Sequence, residues 1–323
     1  MAKCKLCKEN EADQTGSHIL SCLSIKSMIG ERGEEKSYLI SPDPTENYRK
    51  NIKASEIIED YILCRSCEQR LGYVEGYIAA ELTNKIRKQN FKQSFPLKKL
   101  EDINYVECQK LNPMAFHIFL YSLMWRASIS STKIFKDFRL KNETQEYLRN
   151  TLNEIIPPRT DYRGVTLSHK EWFSQLKLKK DSFDKIKYLL LSTPQIEDTT
   201  GDFVIFHPTF NNPYGVMLNE WIIYFDVKEN STEDLFDQLN KHDKSELLNS
   251  SDNLIKIIQI DYEKWNAIRK RLIHTLKDQK KQNMRLHFTA SYLQRFGYVP
   301  HPQLIDSLIT DFIERLKEDN SSD

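Results

Sequence analysis

Two short cysteine pairs, Cys4-Lys5-Leu6-Cys7 and Cys64-Arg65-Ser66-Cys67, restrict what this chain can fold into more than any other feature of it. Each pair puts two thiols on one tight turn, and two such turns brought together make the tetrahedral sulfur cage that Zn²⁺ prefers. Cys4, Cys7, Cys64 and Cys67 are therefore the expected ligands of a structural Zn²⁺, and the long stretch between the pairs must fold back as a hairpin and loop to close the site. A single CxxC ahead of a helix would also suit a thiol oxidoreductase, but that reading leaves the second pair without a role.

The 323 residues suffice for a full core and suggest two domains, one of them small. With 47 basic and 46 acidic residues the net charge is +1, so any nucleic-acid contact has to come from a local patch rather than bulk charge. No run reaches the roughly 20 apolar residues of a membrane span, and Met1-Ala2-Lys3 leads into the first cysteine pair with no export signal. A cytoplasmic location, no membrane partner and reduced thiols are expected; six cysteines could otherwise form three disulfides. Cys22 and Cys108 are then left as small buried hydrophobes.

Along the chain, Lys3 to Ser21 reads as a hairpin bearing the first knuckle, with Gly16 to Ser21 as a short strand. Ile29 to Lys53, centred on Ser41-Pro42-Asp43-Pro44, has the composition of a loop. An apolar segment, Glu56 to Leu63, delivers Cys64, and apolar spacing of three and four from Glu68 to Leu82 predicts a helix.

Knuckle, hairpin, loop and a second knuckle on the first turn of a helix trace a treble clef. Residues 1 to 82 thereby resemble the zinc-finger branch of HNH endonucleases, on the pattern CxxC, Ser17-His18-Ile19, then Leu63-Cys64-x-x-Cys67-Glu68. They are also similar to bacterial proteins in which Leu-Cys-x-x-Cys-Glu precedes a helix with a further glutamate, here Glu75. The resemblance implies that His18 is the general base toward an attacking water, a task suited to a group titrating near neutrality. It also implies a catalytic Mg²⁺ or Mn²⁺. The family's usual ligands do not carry over cleanly, because Ser17 precedes the histidine and Glu68 follows Cys67. Glu68 and Glu75, seven apart on one helical face, are the candidate oxygen ligands, with Asn47 or Asn51 as a middle asparagine. The plainer roles are a histidine supporting the knuckle for His18 and a helix-start carboxylate for Glu68.

Residues 84 to 99 carry six basic side chains and no acid, interleaved with Phe91 and Phe95, so Lys85, Arg87, Lys88 and Lys92 could follow a phosphate backbone. A solvated linker is the competing reading. Pro113 to Ser128 is apolar on nearly all sides and predicts a buried central helix, in which His117 is a core histidine and Arg126 half of a buried ion pair. Helices are expected over Tyr147 to Ile156, Asp181 to Leu191, Trp265 to Arg285 and Gln303 to Leu316, and strands over 202–208, 217–228 and 254–260. Arg269, Lys270 and Arg271 head a second basic face. Asp202 with Asp226-Val227-Lys228 faintly matches a different, Mg²⁺-dependent nuclease pattern.

The sequence thus predicts an α+β protein: an N-terminal zinc-bound treble-clef (ββα-metal-like) module over residues 1–82, then a mostly helical domain over 83–323 with a small antiparallel sheet at about 202–260. The expected function is metal-dependent cleavage of nucleic acid, DNA in preference to RNA. By resemblance, it could be an effector in bacterial anti-phage defence, with a protein partner or a homo-oligomer as its setting. The alternative is a non-catalytic zinc-finger subunit that docks nucleic acid or a partner protein.

Overall fold

In the computed structural model the described residues are 2–20, 38–39, 50–51, 58–83, 85–86, 88–132, 135, 138–160, 164–175, 186–193, 204–207, 214–218, 221–227, 245–249 and 254–319. The chain is α+β. Strand β1 (Ser17–His18) pairs antiparallel with β4 (Ile58–Glu59), and helix α1 (Arg65–Ile78) follows at once. Between them β2 (Tyr38–Leu39) pairs with β3 (Lys50–Asn51), which takes up Asn51. Asn47, Cys22 and the Ser41 to Pro44 turn lie outside the described residues.

The second half is built on a seven-stranded sheet, so the small sheet at about 202–260 is too modest an expectation. Its order is β5 (Leu97–Leu100), β6 (Ile103–Cys108), β11 (Ile255–Gln259), β7 (Ile186–Ser192), β10 (Trp221–Val227), β9 (Tyr214–Leu218) and β8 (Val204–His207). Neighbours run antiparallel except β11 and β7, which are parallel. The helix expected over Asp181 to Leu191 is the strand β7 where it is described. Tyr188 and Leu190 face one apolar cluster while Leu189 and Leu191 face another. A strand buried on both faces reads as a continuous apolar run, which hides its period of two. The segment 217–228 likewise divides into the end of β9 and the whole of β10.

Helix α2 (Pro113–Ile129) is buried along its length, as its apolar sequence demands. Asn112 caps it, its Oδ1 accepting from Ala115 N at 3.1 Å, and Pro113 takes the first turn, where no N–H is missed. Helix α3 (Asn142–Ile155) and the single turn α4 (His169–Ser174) pack on the same core. A long helix α5 (Tyr262–Phe296) turns at Gly297, in the left-handed region at φ 76°, into α6 (Pro302–Asp319).

The principal apolar cluster runs without a break from the cysteine knuckle (Leu6, Ile19, Leu63) through α1 (Leu71, Val74, Ile78) and α2 to the sheet (Tyr188, Ile223, Ile257). Among the described residues, no helix is long and apolar enough to cross a membrane.

Candidate metal centre and the residues beside it

The first knuckle is a tight turn in which Cys4 N donates to Asn10 O at 2.8 Å and Lys8 N to Cys4 O at 2.9 Å. Lys8 adopts φ 60° to close it. The second knuckle is the start of α1, where Cys64 is the N-cap and Cys67 completes the first turn. Thiolates there face the positive end of the helix dipole and its unpaired N–H groups. Backbone bonds from Lys5 N to Ile62 O (2.9 Å) and from Gln14 N to Leu63 O (3.2 Å) hold the two knuckles together.

The four sulfurs lie within 4.8 Å of one another, and Cys7 Sγ is 4.0 Å from Cys64 Sγ. A tetrahedral site with Zn–S bonds of about 2.3 Å needs sulfur separations of about 3.8 Å, so only slight tightening is required. Contact with the Cys67 thiol, then backbone N–H groups of Cys7, Cys64 and Leu6, draws the Cys4 thiol down to about 4 against its burial. Cys67 is pushed up by its proton's bond to Cys4 and then by burial, and Cys64 is raised foremost by burial. Four sulfurs this close and this buried can all be thiolates only around a cation. Soft donors, tetrahedral spacing and burial together fit zinc. Asn10 Nδ2 donates to Cys64 Sγ at 3.7 Å, and Arg70 Nη1 approaches Cys67 Sγ at 4.0 Å. Sequence reading passed over both; for Arg70 the signal was present, since it stands one helical turn after Cys67.

Glu68 and His18 flank this cage, within electrostatic reach of one another. His18 is half-buried on β1, and Glu68 sits in the first turn of α1, next to Cys67. Burial raises the Glu68 carboxyl above its usual range, Arg126, the Ser17 hydroxyl and His18 pull it down, and Glu75 adds to the rise. Glu68 Oε2 and Ser17 Oγ are sealed from solvent, and neither has a hydrogen-bond partner of good geometry among the described residues. Glu75, two turns further along α1, is in a buried ion pair with Arg126 of α2, whose side chain is 1% exposed. The same guanidinium donates through Nη1 to the His18 carbonyl. Arg126 is thus the ion-paired core arginine expected from sequence, and it ties the β1 backbone to α1. His117 is a core histidine, its Nδ1 3.0 Å from Pro113 O and 3.3 Å from the Tyr188 hydroxyl.

Apart from the four cysteines, no group of three His, Cys, Asp or Glu ligand atoms converges to the same spacing among the described residues. Strand β4 is fixed from the other side: Glu59 accepts from Ser130 Oγ at 2.7 Å and Ser131 N at 3.0 Å, just past the end of α2.

The basic residues are dispersed. Lys85 is paired with Glu81 at 2.7 Å, Lys88, Lys92 and Lys270 are exposed, and Arg87 lies outside the described residues. Arg269 and Arg271 are on α5, but their side chains are not among those described. Asp226 ends β10 beside Val227, whereas Asp202 and Lys228 fall outside the described residues.

Comparison with protein-family models, with curated proteins and with solved structures finds no match to this chain.

Proposed function

We propose that the chain is a metal-dependent phosphodiester hydrolase of HNH type, acting on nucleic acid and on DNA in preference to RNA. Its zinc module would be a treble clef. The observation that supports this reading is that His18, on β1, and Glu68, next to Cys67 on α1, lie within electrostatic reach of each other at the side of the four-sulfur cluster. The His18 imidazole takes the proton from the attacking water, and the rigid cage holds the β1–α1 corner in place for that transfer. Glu68, the acid beside His18, is the side chain that would offer oxygen to Mg²⁺ or Mn²⁺, which would supply positive charge at the scissile phosphate. Exposed Lys88, Lys92 and Lys270 are suited to phosphate contacts outside the centre. A role as an effector in anti-phage defence, in the cytoplasm, is the setting that the resemblance suggests.

The competing reading is a zinc module that binds without cutting. One observation favours it: Arg126 occupies the Glu75 carboxylate, and among the described residues only the four cysteines form a cluster of ligand atoms. Incubating the protein with plasmid DNA or RNA and Mg²⁺ or Mn²⁺ separates the two. Cleavage lost in His18→Ala, with zinc retained, supports the hydrolase; cleavage that persists in the variant removes the mechanism, and none in the wild type favours the binding module. Association should weaken steeply from low to high salt in either case, and salt-independent affinity would discard the phosphate contacts.

A further inference from the structure

Glu75 was expected to be an oxygen ligand, and its surroundings give it different work. We infer that Glu75 and Arg126 form a positioning pair whose purpose is to fix His18, and that Glu75 does not ligate the catalytic ion. The inference rests on the hydrolase reading and assigns a division of labour within the same site.

The argument begins with what an arginine on α2 must do to be tolerated there. A guanidinium 1% exposed has lost its hydration and has to find hydrogen-bond acceptors on every side. Three are present. Nη2 is paired with Glu75 Oε1, Nη1 donates to the His18 carbonyl, and Nε reaches Ser122 O at 3.4 Å within its own helix. The fork therefore spans three elements that are far apart in sequence: β1, α1 and α2. Strand β1 is only two residues long and makes a single two-residue pairing with β4, with Gly16 N donating to Asp60 Oδ1 at 2.6 Å just ahead of it. The planar guanidinium adds a restraint from α2, because a fork with fixed donor directions transmits orientation as well as charge.

Glu75 completes this device. Without its carboxylate, Arg126 would be a buried charge lacking its paired counter-ion. With Glu75 engaged, Glu68 feels the same guanidinium without forming the ion pair. The two glutamates on one face of α1 thus take separate roles: Glu75 holds the arginine, and Glu68 stands unpaired with it beside Ser17.

The test is a set of variants, Glu75→Gln, Arg126→Lys, Arg126→Gln and the double Glu75→Gln/Arg126→Gln, each first checked for zinc content and far-ultraviolet circular dichroism. Displacing a reacting group by about 1 Å costs about 100-fold in rate, so the glutamine variants should lose rate on that order. Arg126→Lys should recover part of it. The Mg²⁺ or Mn²⁺ concentration for half-maximal cleavage should be unchanged, and the double variant should be no slower than the slower single one. A tenfold or greater rise in the metal requirement of Glu75→Gln, or multiplied losses in the double variant, would make Glu75 a ligand and overturn the inference. Imidazole signals of His18 in ¹H–¹³C NMR give a reading that does not depend on turnover. Signals that shift in Glu75→Gln and Arg126→Lys support the pair even if the wild type cuts nothing, which would remove the hydrolase alone. Unshifted signals overturn the pair whether or not DNA is cut.

Discussion

Lys5, inside the first cysteine knuckle, donates its backbone N–H to the carbonyl of Ile62, two residues before the second knuckle, at 2.9 Å. The four-cysteine cluster is therefore drawn together by main-chain bonds whether or not a metal fills it, and the apolar neighbours Leu6 and Leu63 are fully buried around it. Structural zinc sites contribute about 10–16 kcal/mol of apparent binding free energy, comparable to or larger than the whole stability of a typical domain. Main-chain bonds of about 1 kcal/mol each cannot replace it. One zinc per chain is expected by elemental analysis. Cys4→Ser should lose it and unfold at lower temperature, and a strong chelator should have the same effect on the wild type; a metal-free chain with unchanged melting would contradict this.

The Glu75–Arg126 pair can be read through stability alone. Truncation to alanine strands Glu75, 14% exposed, without its cation, and breaking a buried pair in this way costs about 3–5 kcal/mol. Replacing both members, as in Glu75→Leu/Arg126→Met, should cost less than Arg126→Ala alone in urea denaturation. An additive result would show that the two side chains do not interact.

Trp172 on α4 is fully buried, its ring 5.5 Å from Tyr73 and 5.3 Å from Phe173, with Nε1 donating to Pro157 O at 3.3 Å. Trp172→Ala should destabilise by about 3–5 kcal/mol, and Trp172→Phe by clearly less. Denaturant midpoints of the two variants decide it.

Asn249 substitutes for a strand. Its Oδ1 accepts from Lys256 N at 2.6 Å and its Nδ2 donates to Lys256 O at 2.9 Å, while its own N–H bonds Tyr188 O on β7 at 3.0 Å. Asn249→Ala would leave both Lys256 backbone groups without these partners at a cost of about 1–3 kcal/mol. Amide exchange at Lys256 should quicken with it, and unaltered protection would refute the role.

His169 carries the acid-side signature. Its ring lies 4.6 Å from Tyr73 and 5.3 Å from Tyr77, and burial lowers its pKa, with Glu81 opposing. The folded state then binds a proton less readily than the unfolded chain, whose histidine titrates near 6.5. The stabilising contribution is complete above that value and is lost as pH falls through the lowered folded pKa. His169→Gln should flatten the stability profile in that range; an identical slope in the variant would rule His169 out as its source.

The parts of this architecture that were legible in sequence are those with local or strongly periodic causes. The CxxC spacing located all four sulfurs, and the unbroken apolar run from Pro113 located the buried helix, because each pattern has few physical solutions. Strand β7 was not legible: Tyr188-Leu189-Leu190-Leu191 is apolar on both faces, and a helix and a doubly buried strand look alike over so few residues. Strands β5 and β6 escaped as well, since Lys98 and Lys99 read as part of a solvated basic tract. Here β5 is an edge strand, where lysines guard exposed backbone. At the site, the composition of α2 announced that Arg126 needed a partner, but the partner's identity depends on residues 51 and 108 positions away.

The unbroken apolar cluster from Leu6 to Ile257 bears on how such a protein can be taken apart. A fragment ending near residue 82 would lay Leu71, Val74 and Ile78 open to water and leave the His18 backbone without its arginine. The finger is no interchangeable cassette: grafted onto another scaffold it would need a surrogate for α2, including a cation at the position of Arg126, before its histidine stood where it stands here.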